Sequence, residues 1–161
     1  MTQSEIHDER SLQERFAPRG ICFGCGPENP LGLGIRSYVE GDVVRATFKP
    51  QKHHQGFEGM MNGGIIGALL DCHMNWTAAW GLMKLAGSPE PPCTVTGSYE
   101  VKFFAPTPVD KPLEVIASVV EISPRKATIK ASLEADGVAT SAGHGVFIAV
   151  KEGHPAFNRW N

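Results

Sequence analysis

The sequence predicts an α+β fold in which an antiparallel β-sheet of about six strands wraps around one long central helix. Three observations carry the prediction. One long apolar segment opens after Asn62 with Gly63 and Gly64 at its head, and Ile65 through Leu85 is largely free of breakers until Gly87. Four β-rich segments follow it, and two shorter ones precede it. With a single helix available to cover the sheet, the sheet must curl around it.

The elements follow in order. Residues 1–20 have some helical character around Leu12 and Phe16 and break at Pro18-Arg19-Gly20, which makes them an N-terminal arm. Gly24, Gly26, Pro27, Asn29, Pro30, Gly32 and Gly34 then crowd a loop. The segments LGIRSY and VVRATF, separated by Glu40-Gly41-Asp42, predict a hairpin. Asn62 suits the N-cap of a helix of about six turns. After AGSPEPP come TVTGSYEVKFF, LEVIASVVEI, KATIKASLEA and VATSAGHGVFIAV, read as an antiparallel meander with turns at Ser123-Pro124-Arg125 and Asp136-Gly137. The folded domain is expected over 21–152, with EGHPAFNRWN closing the chain and 153–161 as a tail. The sheet's edges would be covered most simply by a second copy.

At 161 residues, 42% of them hydrophobic, the chain has the size and core material of one domain. A formal net charge of −2 leaves no broad basic surface, so no nucleic-acid partner is expected. The first residues, MTQSEIHDERSLQERF, lack the pattern of a secretory signal. The longest apolar segment is interrupted by Asp71, His73 and Asn75, so no membrane span is expected. Four cysteines, at 22, 25, 72 and 93, are read as free thiols of a cytoplasmic protein.

Asp71 stands out because it follows Ile65, Ile66, Ala68, Leu69 and Leu70 in a helix that should be buried on most sides. A buried carboxylate costs several kcal/mol unless it is hydrogen-bonded or protonated. Two readings stand: a functional carboxylate, or one on a wet face of the helix. Gly63-Gly64 also has two readings. The pair packs the helix start closely, or it exposes backbone N–H groups at the positive end of the helix dipole, where a developing oxyanion would be held. Gly63 and Asp71 are about 12 Å apart along a helix, too far for one carbonyl to touch both. A site using both therefore takes one group from each of two subunits.

The segments CFGCGPENPLGLGI, HHQGFEGMMNGGIIGALLDCHMNW and TVTGSYEVKFFAPTPV resemble the PaaI-like acyl-CoA thioesterases of the hotdog superfamily, over roughly residues 20–150. The resemblance implies the hotdog fold, a homodimer that can pair into a dimer of dimers, and hydrolysis of an acyl-CoA thioester. It requires no cofactor, coenzyme A being part of the substrate. It assigns Asp71 as nucleophile or general base, the Gly63 N–H as the donor to the thioester carbonyl, and Thr96 as a hydroxyl orienting water; an ordinary strand threonine remains the other reading of Thr96. Asn62 stands where the family usually has His, and it cannot act as an acid or base near neutral pH. Gly56 stands where many members have Asn. Asn62 is retained as a site candidate, with Gly64, His54, Met61, His73 and Asn75 as substrate-binding candidates.

Other constellations compete. Cys22-x-x-Cys25 is half of a zinc pattern with His53 and His54 as conceivable partners, but no second half is visible and no metal is assigned. Cys72 and His73 are adjacent on a helix and point about 100° apart, so they form no nucleophile pair. Trp76 and Trp80 are core or acyl-pocket wall; Met60 and Met61 fill the core or line an acyl tunnel. Arg125, Lys126, Lys102 and Lys151 are candidates for the CoA phosphates. A non-catalytic acyl-CoA binding or scaffold protein is the alternative function. A hydratase is a third, weakened by the Asn at 62.

Overall fold

The long helix begins where the chain supplies its cap. In the computed structural model, which describes residues 8–161, Asn62 Oδ1 accepts a hydrogen bond from the Ile65 N–H at 3.1 Å. In chain order the elements are α1 (Leu12–Phe16), β1 (Tyr38–Glu40), β2 (Val43–Phe48), β3 (Gln55–Phe57), β4 (Met60–Met61), α2 (Gly63–Ala86), β5 (Thr94–Phe103), β6 (Leu113–Ser123), β7 (Lys126–Ala135) and β8 (Val138–Ala149). Helix α2 ends at Gly87, whose φ of 63° is the left-handed conformation that closes a helix with no Cβ penalty. Of the expected arm, residues 1–7 lie outside the described residues.

Six strands form one antiparallel sheet in the order β1-β2-β6-β7-β8-β5 around α2, the predicted hotdog arrangement. The two-residue turn at Asp136-Gly137 joins β7 to β8 with φ of 49° and 75°, the mirror-image turn that this dipeptide favours. Strands β6, β7 and β8 make the expected meander. The meander does not include β5, which pairs with β8 at the far edge while β6 pairs with β2. Pro106, Pro108 and Pro112 occupy the connection between β5 and β6; lacking N–H groups, they keep it out of the ladder as it crosses.

Two other details depart from the sequence reading. The first strand starts at Tyr38 rather than Leu33, because the Leu33 and Ile35 N–H groups donate to Phe23 O and Gly24 O of the preceding loop. A small ribbon of β3 and β4, not expected from the sequence, leads into α2.

The core lies between α2 and the concave face of the sheet. Every second residue of β7 (Ala127, Ile129, Ala131, Leu133, Ala135) is buried, facing Leu69, Leu70, Met74, Ala78 and Leu82 of the helix. Small residues let the layers approach: a Cβ on Gly143 of β8 would stand 2.9 Å from Met74 Cε. Near the end of the chain, Trp160 is 8% exposed and stacks on Trp76 with ring centroids 4.2 Å apart.

Strand β5 carries a bulge between Thr96 and Ser98. Gly97 is its extra residue, and it reverses which parity of side chain faces the helix. Thr96 faces α2 before the bulge, and Tyr99 and Phe103 face it afterwards. Along α2 their counterparts are Asp71, Gly67 and Gly63, one turn apart each. Edge strand and helix thus share one stripe.

Candidate active site

Asp71 lies at one end of that stripe, inside the helix. It is half-buried, and Thr96 Oγ1 donates a hydrogen bond to its Oδ1 at 2.7 Å. Burial pushes the Asp71 carboxyl above its usual range; the Thr96 bond opposes this, the charge of Cys22 adds to it, and Arg159 opposes it more weakly. Burial and the nearby Asp71 charge also raise the Tyr99 phenol. The result is an accessible carboxylate held by one hydroxyl, in surroundings that strengthen it as a base.

Gly63 and Gly64 are exposed at the head of α2. The Phe103 ring edge stands 3.6 Å from where a Gly63 Cβ would lie, and the Tyr99 hydroxyl 3.4 Å from the corresponding point on Gly67. Glycine at both positions lets the aromatic side chains of β5 lie against the helix. Asn62 is exposed, and its side chain is engaged in capping, with Oδ1 3.0 Å from the Cβ position of Gly64. A Cβ on Gly56 would stand 3.1 Å from Asn62 Cα, so a side chain there would press on the cap residue.

The other candidates divide. His73 is not a substrate ligand: it is fully buried, its Nδ1 is 2.8 Å from Ser37 Oγ and its Nε2 2.8 Å from Val44 O. Gln13 bonds Ser37 in turn, so both ring nitrogens are consumed in tying α1, α2 and β2 together. Met61 is buried at 4% exposure, and its N–H donates to Thr107 O. His54 is nearly buried, its Nδ1 accepting from the Gln51 N–H, and burial together with His53 lowers its pKa. Asn75 lies one turn beyond Asp71 with Oδ1 buried and without a partner among the described residues, and the same holds for the Thr94 hydroxyl of β5. Trp76 is core, while half-buried Trp80 lies beneath Lys84 Nζ, 4.5 Å from its ring centroid.

Among the basic candidates, Arg125 donates to Ala149 O and Lys102 lies 3.8 Å from Glu100. Cys72 makes its close contact with Cys22, their sulfurs 3.7 Å apart, rather than with His73. Sequence reasoning missed Tyr99 and Phe103 as partners of the helix. The available clue was Gly97, an isolated glycine within a strand pattern, which marks a bulge.

No protein-family model and no curated protein sequence matches the chain. Solved structures do. A thioesterase superfamily protein from Shewanella loihica PV-4 superposes with a TM-score of 0.63 at 28% identity, over 73% of this chain and 92% of that one. A second thioesterase superfamily protein gives 0.68 at 24% identity, over 91% and 73%. The Escherichia coli PaaI protein of the phenylacetic acid degradation operon gives 0.63 at 12% identity, over 74% and 81%. The structural neighbours thus include thioesterase superfamily proteins and PaaI, in agreement with the resemblance drawn from the sequence.

Proposed function

We propose that this chain hydrolyses an acyl-CoA thioester to the free acid and coenzyme A. The observation that carries the reading is the half-buried Asp71, bonded by Thr96 at 2.7 Å, beside an edge strand and on a helix whose glycine head is exposed. Likeness to thioesterase superfamily structures supports thioester hydrolysis in general.

Acting as a base, Asp71 takes a proton from water as the hydroxide oxygen bonds to the thioester carbon. The carbonyl becomes an oxyanion, held by the Gly63 N–H; the C–S bond then breaks, and the CoA thiolate leaves and takes up a proton. Acting as a nucleophile, the same carboxylate forms a mixed anhydride that water opens. In both cases Thr96 fixes one carboxylate oxygen and leaves the other free to react.

Asp71 and Gly63 of one chain cannot meet on one carbonyl, so the site joins Asp71 of one copy to Gly63 of another. The exposed edge strand β5, with Tyr99 and Phe103 at 44% and 55% exposure and Phe104 just after it at 61%, supports a pairing surface beside both residues. Hydrolysis therefore depends on a homodimer.

The test compares wild type with Asp71→Asn on short, medium, long and aryl acyl-CoA thioesters, following thiol release. The variant should lose roughly 100-fold or more in kcat with fold and oligomeric state unchanged. A wild type that binds acyl-CoA but cleaves none of the series would replace this reading with that of a binding protein.

A further inference from the structure

Three of the four cysteines converge from two separate segments. Cys22 and Cys25 lie in the glycine-rich loop and Cys72 on α2, and their sulfurs all lie within 4.8 Å of one another. Two sulfurs bound to one tetrahedral zinc ion stand about 3.8 Å apart, given Zn–S bonds of about 2.3 Å. Cys22 Sγ and Cys72 Sγ are 3.7 Å apart. The CxxC spacing fell short of a metal pattern because its third ligand belongs to another element; His53 and His54 are not part of the cluster.

The surroundings are shaped for the sulfurs. A Cβ on Gly24 would stand 2.3 Å from Cys72 Sγ, so only glycine lets the loop close over that atom. The buried Trp76 Nε1–H lies beside the Cys25 sulfur. A cavity of about 220 Å³, lined by Gln13, Cys22, Cys25, Trp76 and Arg159 among others, opens next to two of the sulfurs and leaves room for a fourth ligand.

We propose that Cys22, Cys25 and Cys72 form a three-thiolate site for one thiophilic d¹⁰ cation of the zinc class, its fourth position open to the cavity. Binding exchanges three S–H bonds for three metal–sulfur bonds and releases three protons to solvent, with no change of oxidation state. Three thiolates around a divalent ion leave one net negative charge, and Arg159 is the cation that lines the same cavity. The ion clamps the glycine-rich loop onto α2. Its test is read without any turnover assay, so it stands apart from the test of the proposed hydrolysis.

The full chain, reduced and stripped with a chelator, is titrated with Zn²⁺ against a chromophoric competitor and in parallel with Co²⁺. One equivalent of each per chain is expected, with thiolate-to-cobalt charge-transfer absorption, tetrahedral d–d bands and a raised Tm. Cys22→Ser, at a half-exposed position, should remove the charge-transfer band or sharply reduce it and weaken zinc binding roughly 100-fold. Cys93→Ser, outside the cluster, should change neither. A cobalt complex without thiolate absorption, equal losses in Cys22→Ser and Cys93→Ser, or a Cys22–Cys72 disulfide that forms in reducing buffer and leaves the wild type unable to take metal would each overturn the proposal.

Discussion

Thr96 Oγ1 donates to Asp71 Oδ1 across 2.7 Å, joining the edge strand to the middle of the helix at the one carboxylate in the core-facing segment. A hydrogen bond to a charged group is worth about 1.5–3 kcal/mol. Thr96→Val keeps the side-chain shape and removes the donor, so kcat should fall roughly tenfold or more with KM little changed, and Thr96→Ser should restore it. Equal turnover in Thr96→Val and wild type would leave Thr96 an ordinary strand residue.

Phe103 lies against the head of α2 and is 55% exposed on the edge strand. If that edge is where two copies meet, Phe103→Glu places charges about the two-fold axis and should yield a monomer by light scattering, with thiol release lost at the same time. A monomer that retains full turnover would defeat the shared site while leaving Asp71 as the base.

Gly24 is held to glycine by packing rather than by backbone conformation, since its φ is ordinary and its Cβ position falls 2.3 Å from Cys72 Sγ. Turning the Cys72 sulfur aside would give up its 3.7 Å contact with Cys22 Sγ. Gly24→Ala should therefore cost about 1–3 kcal/mol in urea unfolding, the range for overpacking. Gly59→Ala, where nothing lies within 4 Å, isolates the alternative: φ of 78° strains the backbone without any clash.

Most of the fold was legible because its signals are local. Asn62 as cap, Gly87 as stop and Asp136-Gly137 as turn each act within a few residues, and the structure places all three as expected. The position of β5 was not legible, because strand pairing depends on which edge the connection through Pro106 and Pro108 reaches, and sequence order does not encode that. At the site, Asp71 was conspicuous as a charge in an apolar helix. His73, two residues on, reads from sequence as a substrate-binding candidate; its burial depends on Ser37 and Val44, supplied by distant segments. The cysteine cluster was half visible for the same reason, its third sulfur arriving through tertiary packing alone.

Trp160 should be a strong test of how far the folded unit extends. It stacks on Trp76 at 4.2 Å, and Arg159 beside it donates to Thr94 O at 2.8 Å. Trp160→Ala should cost about 3 kcal/mol, the lower end for a buried tryptophan, while Phe157→Ala, at a more exposed position, should change the urea midpoint little. Equal, small effects would mean that the last residues contribute nothing to the core.

His73 sets a pH dependence whose sign follows from its burial. Full desolvation lowers its pKa to about 4, against 6.5 for the free side chain, with the Val44 carbonyl opposing only weakly. The unfolded chain therefore binds a proton below pH 6.5 that the folded chain refuses until about pH 4. Stability is unaffected by this group above pH 6.5 and falls as pH drops through that window, by about 3 kcal/mol at its end. His54, lowered by burial and by His53, adds a smaller contribution of the same sign. Urea midpoints taken between pH 7.5 and 4.5 should decline in wild type, and His73→Gln, though less stable at neutral pH, should show a much flatter profile. An equally steep decline in the variant would place the acid sensitivity elsewhere in the chain.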